Sequence, residues 1–249
     1  MKKRVFDTFV ILIILLIAII YGYKFFAMAM GICAVLSFLE FFKYKYNNDL
    51  DIIKVIGILC LLFILFNSVF YNLPIILPVV ISLLLLVIPI VIFDNSKKYN
   101  INDALYLFGI IVFLSLAYNV LVLICKIDVF RCIYVFLIAF MFDIYSYVGT
   151  SLIGRHKINK TNRTIEGSVV GIVMASLIGS VYHYNFIGDE ILVIIVISFI
   201  LSIASVLGDI LFYNIKNYFN KEKRQVKVID QFDSVLLAAI LYIIVINIL

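Results

Sequence analysis

The sequence has little charge. Only 14% of its 249 residues are Asp, Glu, Lys or Arg, 65% are hydrophobic, and mean hydropathy is +1.20. Soluble domains run nearer half apolar and a quarter charged, so a water-soluble globule is excluded. Cysteine chemistry is equally sparse. Cys33, Cys60, Cys125 and Cys132 form no CxxC pair and no cluster with histidine. All but Cys125 lie inside apolar runs, where they read as small core or lipid-facing residues. They say nothing about redox compartment. There are two histidines, His156 in a basic loop and His183 near the far end of a span. Neither has a second type of metal ligand beside it, so neither is given a metal role. No internal repeat is visible, which counts against a transporter built from inverted halves. The net charge of +5 is spread over short loops and points to no nucleic-acid partner.

What the chain has in quantity is long apolar runs. A helix needs about 20 apolar residues to cross the hydrocarbon core, and this chain holds about nine such runs. They fall at 5–22, 25–42, 52–71, 73–93, 104–124, 129–150, 167–184, 191–213 and 232–249. Asn47-Asn48, Asn72 with Pro74, Asn95, Asn185 and Gly188 punctuate the junctions, as turn residues should. The expected fold is therefore an all-α, polytopic integral membrane protein of about nine transmembrane helices. The opening "MKKRVFDTFVILIILLIAIIYG" has the basic start of a signal peptide. Its apolar run is long and a second follows almost at once, so it reads as a retained first span.

Charge asymmetry orients these spans. With the N-terminus inside, the inner segments carry Lys2, Lys3, Arg4, Lys43, Lys45, Lys54, Lys97, Lys98, Arg155, Lys157, Lys160, Arg163, Lys216, Lys221, Lys223, Arg224 and Lys227, which is 17 of the 20 basic residues. Only Lys24, Lys126 and Arg131 fall outside. This is the positive-inside pattern.

The same topology sorts the acids. Asp143 lies late in the sixth span, Glu166 just before the seventh, Asp209 late in the eighth, and Asp230 and Asp233 open the ninth. All five approach the inner side. Intramembrane acids are costly and face a cavity or a partner. Ser202, Ser205 and Asp209 share one helical face, which reads as a polar stripe lining a cavity. Carboxylates converging beside Lys and Arg suit a magnesium–nucleotide site, because Mg²⁺ takes one or two carboxylates and completes its shell with water and phosphate oxygens. Plainer readings stand beside this one. Asp230 would serve as a helix N-cap, the basic 214–231 loop as an anchor on anionic lipid, and Asp143 or Asp209 as a relay group in a transporter. Gly167, Gly171, Ala175 and Gly179 form a small-xxx-small series that reads as close helix packing rather than a phosphate loop.

Two segments together resemble the CTP-dependent phosphatidate cytidylyltransferase (CDP-diacylglycerol synthase) family. The first, "FDIYSYVGTSLIGRHKINKTNRTIEGSVVG", is similar to the family's D-x-x-A-Y-x-x-G…G-[KR]-x-K…K-T-x-E-G pattern at Asp143, Tyr147, Gly154, Arg155, Lys157, Thr164, Glu166 and Gly167. The second, "SVLGD" with "DQFDS", is similar to S-x-x-G-D…D-R-x-D-S at Ser205, Gly208, Asp209, Asp230, Asp233 and Ser234. Arg163 stands where the family carries Lys, and Gln231 where it carries Arg. The short connection ending in D-Q-x-D looks like the CDP-archaeol synthase branch.

The spans divide into about five N-terminal transmembrane helices over 1–128 and a catalytic region of about four over 129–249, in one integrated membrane domain. The resemblance covers roughly the C-terminal hundred residues. It implies Mg²⁺ held by Asp209, Asp230 and Asp233, with a two-metal site as one form. Asp143 joins these as a catalytic group. Arg155, Lys157, Arg163, Thr164, Glu166, Ser205 and Lys216 would bind substrate. The partners implied are CTP, phosphatidate or another lipid phosphate, and membrane lipid, with a homodimer left open. The setting implied is the inner cell membrane, with the site facing the cytoplasm. A CDP-archaeol synthase-type enzyme, a CTP-dependent polyprenol kinase, a transporter and an inactive paralogue are the alternatives.

Cysteine-accessibility labelling tests the topology. Reporter cysteines in the 155–163 and 216–227 loops are expected to label from the cytoplasmic side in both cases. Labelling from opposite sides would remove the basis for one shared site.

Overall fold

A lipid-embedded backbone must satisfy its own N–H and C=O groups, and the helix does so within one segment. A computed structural model of the chain describes residues 17–45, 51–71, 73–93, 99–158, 163–219 and 228–248, and these are almost entirely helical. The helices are α1 (Tyr23–Lys45), α2 (Asp51–Phe66), α3 (Ile76–Phe93), α4 (Ile101–Ile127), α5 (Val129–Ile153), α6 (Ile165–Phe186), α7 (Ile191–Phe219) and α8 (Ile229–Ile248). Among the described residues the only β-type pairing is an isolated antiparallel bridge between Lys157 and Thr164. The protein is thus an all-α polytopic membrane protein. Seven of its described helices are long and apolar enough to cross a membrane, while α3 offers a shorter apolar stretch, Ile76–Val91. Eight of the expected runs coincide with a helix. The first, 5–22, lies outside the described residues except for 17–22.

The chain divides into two compact units, Met1–Leu123 and Ile124–Leu249. In the first unit α2 ends in a π-helical turn, Asn67–Tyr71. Asn119 Nδ2 donates to the Leu65 carbonyl at 2.6 Å and to Ser68 Oγ at 2.6 Å, so polar groups at the widened turn find partners. Ser37 and Tyr118 join α1 to α4 through a buried 2.8 Å hydrogen bond.

The second unit is the four-helix cluster α5–α8, in which α5 packs on each of the other three helices. Asp128 caps α5 by accepting from the Phe130 N–H at 2.9 Å. The α6–α7 turn uses Gly188 at φ +83, a left-handed conformation that favours glycine. Buried His183 holds that turn through Nε2, 2.8 Å from Asp189. Between α5 and α6 the small-residue stripe does what its spacing suggests. A Cβ on Gly167 would collide with Thr150 Oγ1 and come within 2.7 Å of the Ser146 carbonyl. A Cβ on Gly171 would come within 2.9 Å of the Phe142 ring, and one on Gly179 within 2.7 Å of Ile138. Between α7 and α8, a Cβ on Gly208 would meet the Asp233 carbonyl and lie 3.2 Å from Leu237 Cβ. These close approaches set the register in which side chains from different helices meet.

Alanine substitutions probe that packing. Gly167→Ala and Gly208→Ala force backbone apart and are expected to cost about 1–3 kcal/mol each, the usual range for overpacking. Gly109→Ala in α4 meets nothing within 4 Å and should be neutral or stabilising by up to about 1 kcal/mol. The chain has no tryptophan and three buried cysteines, so a thiol-reactive dye during thermal unfolding in detergent is the suitable readout. Unchanged midpoints in Gly167→Ala and Gly208→Ala would overturn the packing account.

Candidate active site

The site is built where four chain segments reach the same end of the second unit. Helix α5 descends to Gly154, whose N–H closes the helix on the Thr150 carbonyl at 3.2 Å. The chain then turns back on itself. Ile158 N–H donates to the Arg163 carbonyl at 3.0 Å, and Ile165 N–H to the His156 carbonyl at 2.8 Å. Residues 159–162, at the tip, lie outside the described residues. Thr164 ends the loop as the N-cap of α6, with Oγ1 accepting from the Gly167 N–H at 3.1 Å. Glu166 braces the loop from the first turn of α6. Its carboxylate accepts the backbone N–H groups of Arg155 and His156, both at 3.2 Å, and pairs with the His156 ring at 2.5 Å. An acid at a helix start also matches the helix dipole.

With the loop held at both ends, Arg163 points into the cluster. Its Nη2 donates to Asp143 Oδ1 on α5 at 2.7 Å, and its Nε lies 2.5 Å from Asp209 Oδ2 on α7. The guanidinium also sits 5.0 Å above the Phe142 ring. Burial disfavours its charge, but Asp143, Asp209 and Asp233 together outweigh that cost and hold the Arg163 pKa above its ordinary value. Ser234 on α8 completes the link. Its hydroxyl donates to Asp143 at 3.2 Å and approaches Asp233 Oδ1 at 3.3 Å, while its N–H donates to Asp233 Oδ1 at 2.8 Å. Asp143 therefore shares Arg163 with Asp209 and shares Ser234 with Asp233. Among the described residues, three carboxylates face this one guanidinium.

The predicted site residues separate into groups. Asp143, Asp209, Asp233 and Arg163 converge. Arg155 and Lys157 stand exposed on the loop, and Thr164 and Glu166 hold that loop in shape. Ser205, expected with Ser202 to line a cavity, is buried like Ser202. Both hydroxyls return to their own helix, to the Leu201 and Ser198 carbonyls, the usual internal partner for a helical serine. Asp230 lies in the first turn of α8 and Lys216 near the end of α7, and both side chains are outside the described residues. Three residues gain a place that sequence reading did not assign. Ser234 bridges two acids. The Thr150 hydroxyl lies 3.2 Å from Thr164 Oγ1 and ties the loop to α5. Gln231 is buried, with Oε1 lacking a partner among the described residues. Position beside an acid motif was the available signal for Ser234 and Gln231; Thr150 had none.

The donor set is carboxylate oxygen, supported by one hydroxyl. Among the described residues no group of three or more ligating side chains is drawn tightly enough to enclose an ion. Mg²⁺ does not require such a cage, since one or two carboxylates with substrate phosphates suffice. The residues present fit that ion, with Asp209 and Asp233 as the described carboxylates that would hold it.

Known proteins resemble this chain in sequence. A phosphatidate cytidylyltransferase from Helicobacter pylori (strain J99) is 30% identical over 70 residues, which is 27% of this chain and 26% of that protein. The matched stretch thus spans about a quarter of that curated relative's length. The sequence pattern of the cytidylyltransferase family, by contrast, matches residues 2–249. An all-helical membrane chain with facing acids and a basic loop at one end of its second unit thus belongs to the cytidylyltransferase family, a family of nucleotidyltransferases.

Proposed function

We propose that this chain is a CTP-dependent lipid-phosphate cytidylyltransferase whose substrate is phosphatidate. It would work in the inner cell membrane with its site toward the cytoplasm. The observation that carries this reading is the convergence of Asp143, Asp209 and Asp233 on Arg163, beneath a loop that exposes Arg155 and Lys157. Family membership and the printed name of the Helicobacter relative support it. The inner-side excess of Lys and Arg supports the orientation.

In this proposal an oxygen of the lipid phosphate attacks the α-phosphorus of CTP. A new P–O bond forms, the α–β phosphoanhydride bond breaks, and pyrophosphate leaves with that electron pair. Nothing is oxidised or reduced. The protein's contribution is positioning and charge neutralisation, as in phosphoryl transfer generally. Asp209, Asp230 and Asp233 would hold Mg²⁺, which supplies positive charge to the phosphate oxygens when bound. Arg155 and Lys157, joined by Lys216 and Arg163, would take the remaining phosphate oxygens through charge-assisted hydrogen bonds. Glu166 and Thr164 would act through the loop backbone they hold in place, so that the cations face the nucleotide. The lipid phosphate would enter from the membrane surface, at the helix end where the cluster lies.

Purified protein with labelled CTP, Mg²⁺ and an acceptor lipid tests this directly. Label in the α position is expected in the lipid product with phosphatidate as acceptor; transfer of γ label instead would mark a kinase. An archaeol-type phosphate belongs in the same assay, because Gln231 replaces the family's Arg between the last two acids. Asp209→Asn and Asp230→Asn should each abolish Mg²⁺-dependent turnover in folded protein. Arg155→Gln and Lys157→Gln should each weaken CTP by about 1.5–3 kcal/mol, or roughly ten- to hundredfold in apparent KM. Near-normal turnover in either Asp variant would refute the metal assignment.

A further inference from the structure

The cation that now sits among the carboxylates belongs to the chain itself. Arg163 gives Nη2 to Asp143 and Nε to Asp209, and it is held there by a loop with fixed ends: the N-cap on Thr164, the Glu166 bonds to residues 155 and 156, and the Ile158–Arg163 backbone bond. Phe142 supports the guanidinium from one side. Arg163 is four-fifths buried, with its hydrogen-bonding edge turned to the acids, whereas Arg155 and Lys157 are exposed. Among the described residues, the three basic side chains of this loop therefore do different things. Two face outward, and one neutralises the carboxylate that the metal reading assigns as a ligand.

We infer that Arg163 is the resident counter-cation of this site and competes with the divalent ion for Asp209. The inference rests on the reading of the cluster as a metal–nucleotide site and assigns Arg163 a second role there, as a positioning residue. A guanidinium in contact with Asp209 repels a divalent cation brought to the same carboxylate, since like charges at this separation in a poorly solvated place interact strongly. The ion binds well only as Arg163 turns away from Asp209. Arg163 then keeps its bond to Asp143 or turns its donors to phosphate oxygens arriving with the ion. Metal-free protein thus keeps Asp143 and Asp209 paired with Arg163, which lowers the cost of their burial. Loading of the ion and delivery of Arg163 to the nucleotide become one event. Arginine suits this role because its fork reaches two carboxylates at once, which a lysine ammonium does with less geometric hold.

Mn²⁺ binding without nucleotide, followed by electron paramagnetic resonance on the full-length protein in detergent, reads the competition with no turnover involved. Arg163→Gln is expected to bind Mn²⁺ about tenfold or more tightly than the unsubstituted protein, and Arg163→Lys within about threefold of it. Asp209→Asn should lose the site. Equal or weaker Mn²⁺ binding in Arg163→Gln would overturn the competition and leave the metal reading standing, with Arg163 then serving to shape the ligands. No Mn²⁺ binding in any of the proteins, or binding that Asp209→Asn leaves unchanged, would overturn both. Should Arg163→Gln not fold, the unsubstituted protein still decides the matter through phenylglyoxal modification read by mass spectrometry. Modification of Arg163 is expected to rise when Mn²⁺ is added; no change, or a fall, overturns the inference.

Discussion

The ion pairing of Arg163 with Asp143 and Asp209 is the interaction on which the second unit's functional end depends. It joins a loop to two helices, and Ser234 carries the link to a third. None of these charges would be stable alone at such burial. An isolated ionised group is costly to take out of water, and removing one partner of a buried pair typically costs about 3–5 kcal/mol because the other is left uncompensated. Arginine and acids therefore hold one another in place. The position of each decides where the others can be.

That pairing requires helices to be unusually close, and glycine supplies the closeness. Gly167 lets α6 approach Thr150 and the Ser146 carbonyl on α5, one turn from the loop that carries Arg163. Gly208, beside Asp209, sits beneath the Asp233 carbonyl, so that α7 and α8 bring their acids to the same level. Helices in lipid associate through such small-residue contacts because lipid provides no hydrophobic drive for them to pack. The residues that form the site and those that bring it together are neighbours in sequence: Glu166 with Gly167, and Gly208 with Asp209.

Membership of the cytidylyltransferase family gives this cluster its chemical setting. The reaction proposed for it, between two phosphate-bearing molecules, would have more negative charge to manage than any other feature to recognise. In the proposed function the work would be divided in two parts: acids to gather a divalent cation, bases to meet the phosphates. The chain separates these parts physically, with Arg155 and Lys157 exposed and the carboxylates turned inward. Arg163 belongs to the basic loop by sequence and to the acidic cluster by contact.

Hydropathy alone determined the membrane class, the helical architecture and the ends of most spans, and the charge pattern gave the expectation that five acids lie toward one side. These are local or additive properties: a span needs only enough consecutive apolar residues, and orientation only a count of Lys and Arg. The small-residue stripe was legible too, because helical spacing puts Gly167, Gly171, Ala175 and Gly179 on one face. Helical spacing says which face a residue is on, but not which residue lies opposite. Only the tertiary structure decided that Arg163 would turn inward while Arg155 and Lys157 stay exposed. It also decided that Glu166 would brace backbone N–H groups, that Ser205 would return its hydroxyl to its own helix, and that Ser234 would bridge Asp143 and Asp233. Each of these is a choice among partners, most of them between residues far apart in the chain, and the packing of α5 through α8 settles it.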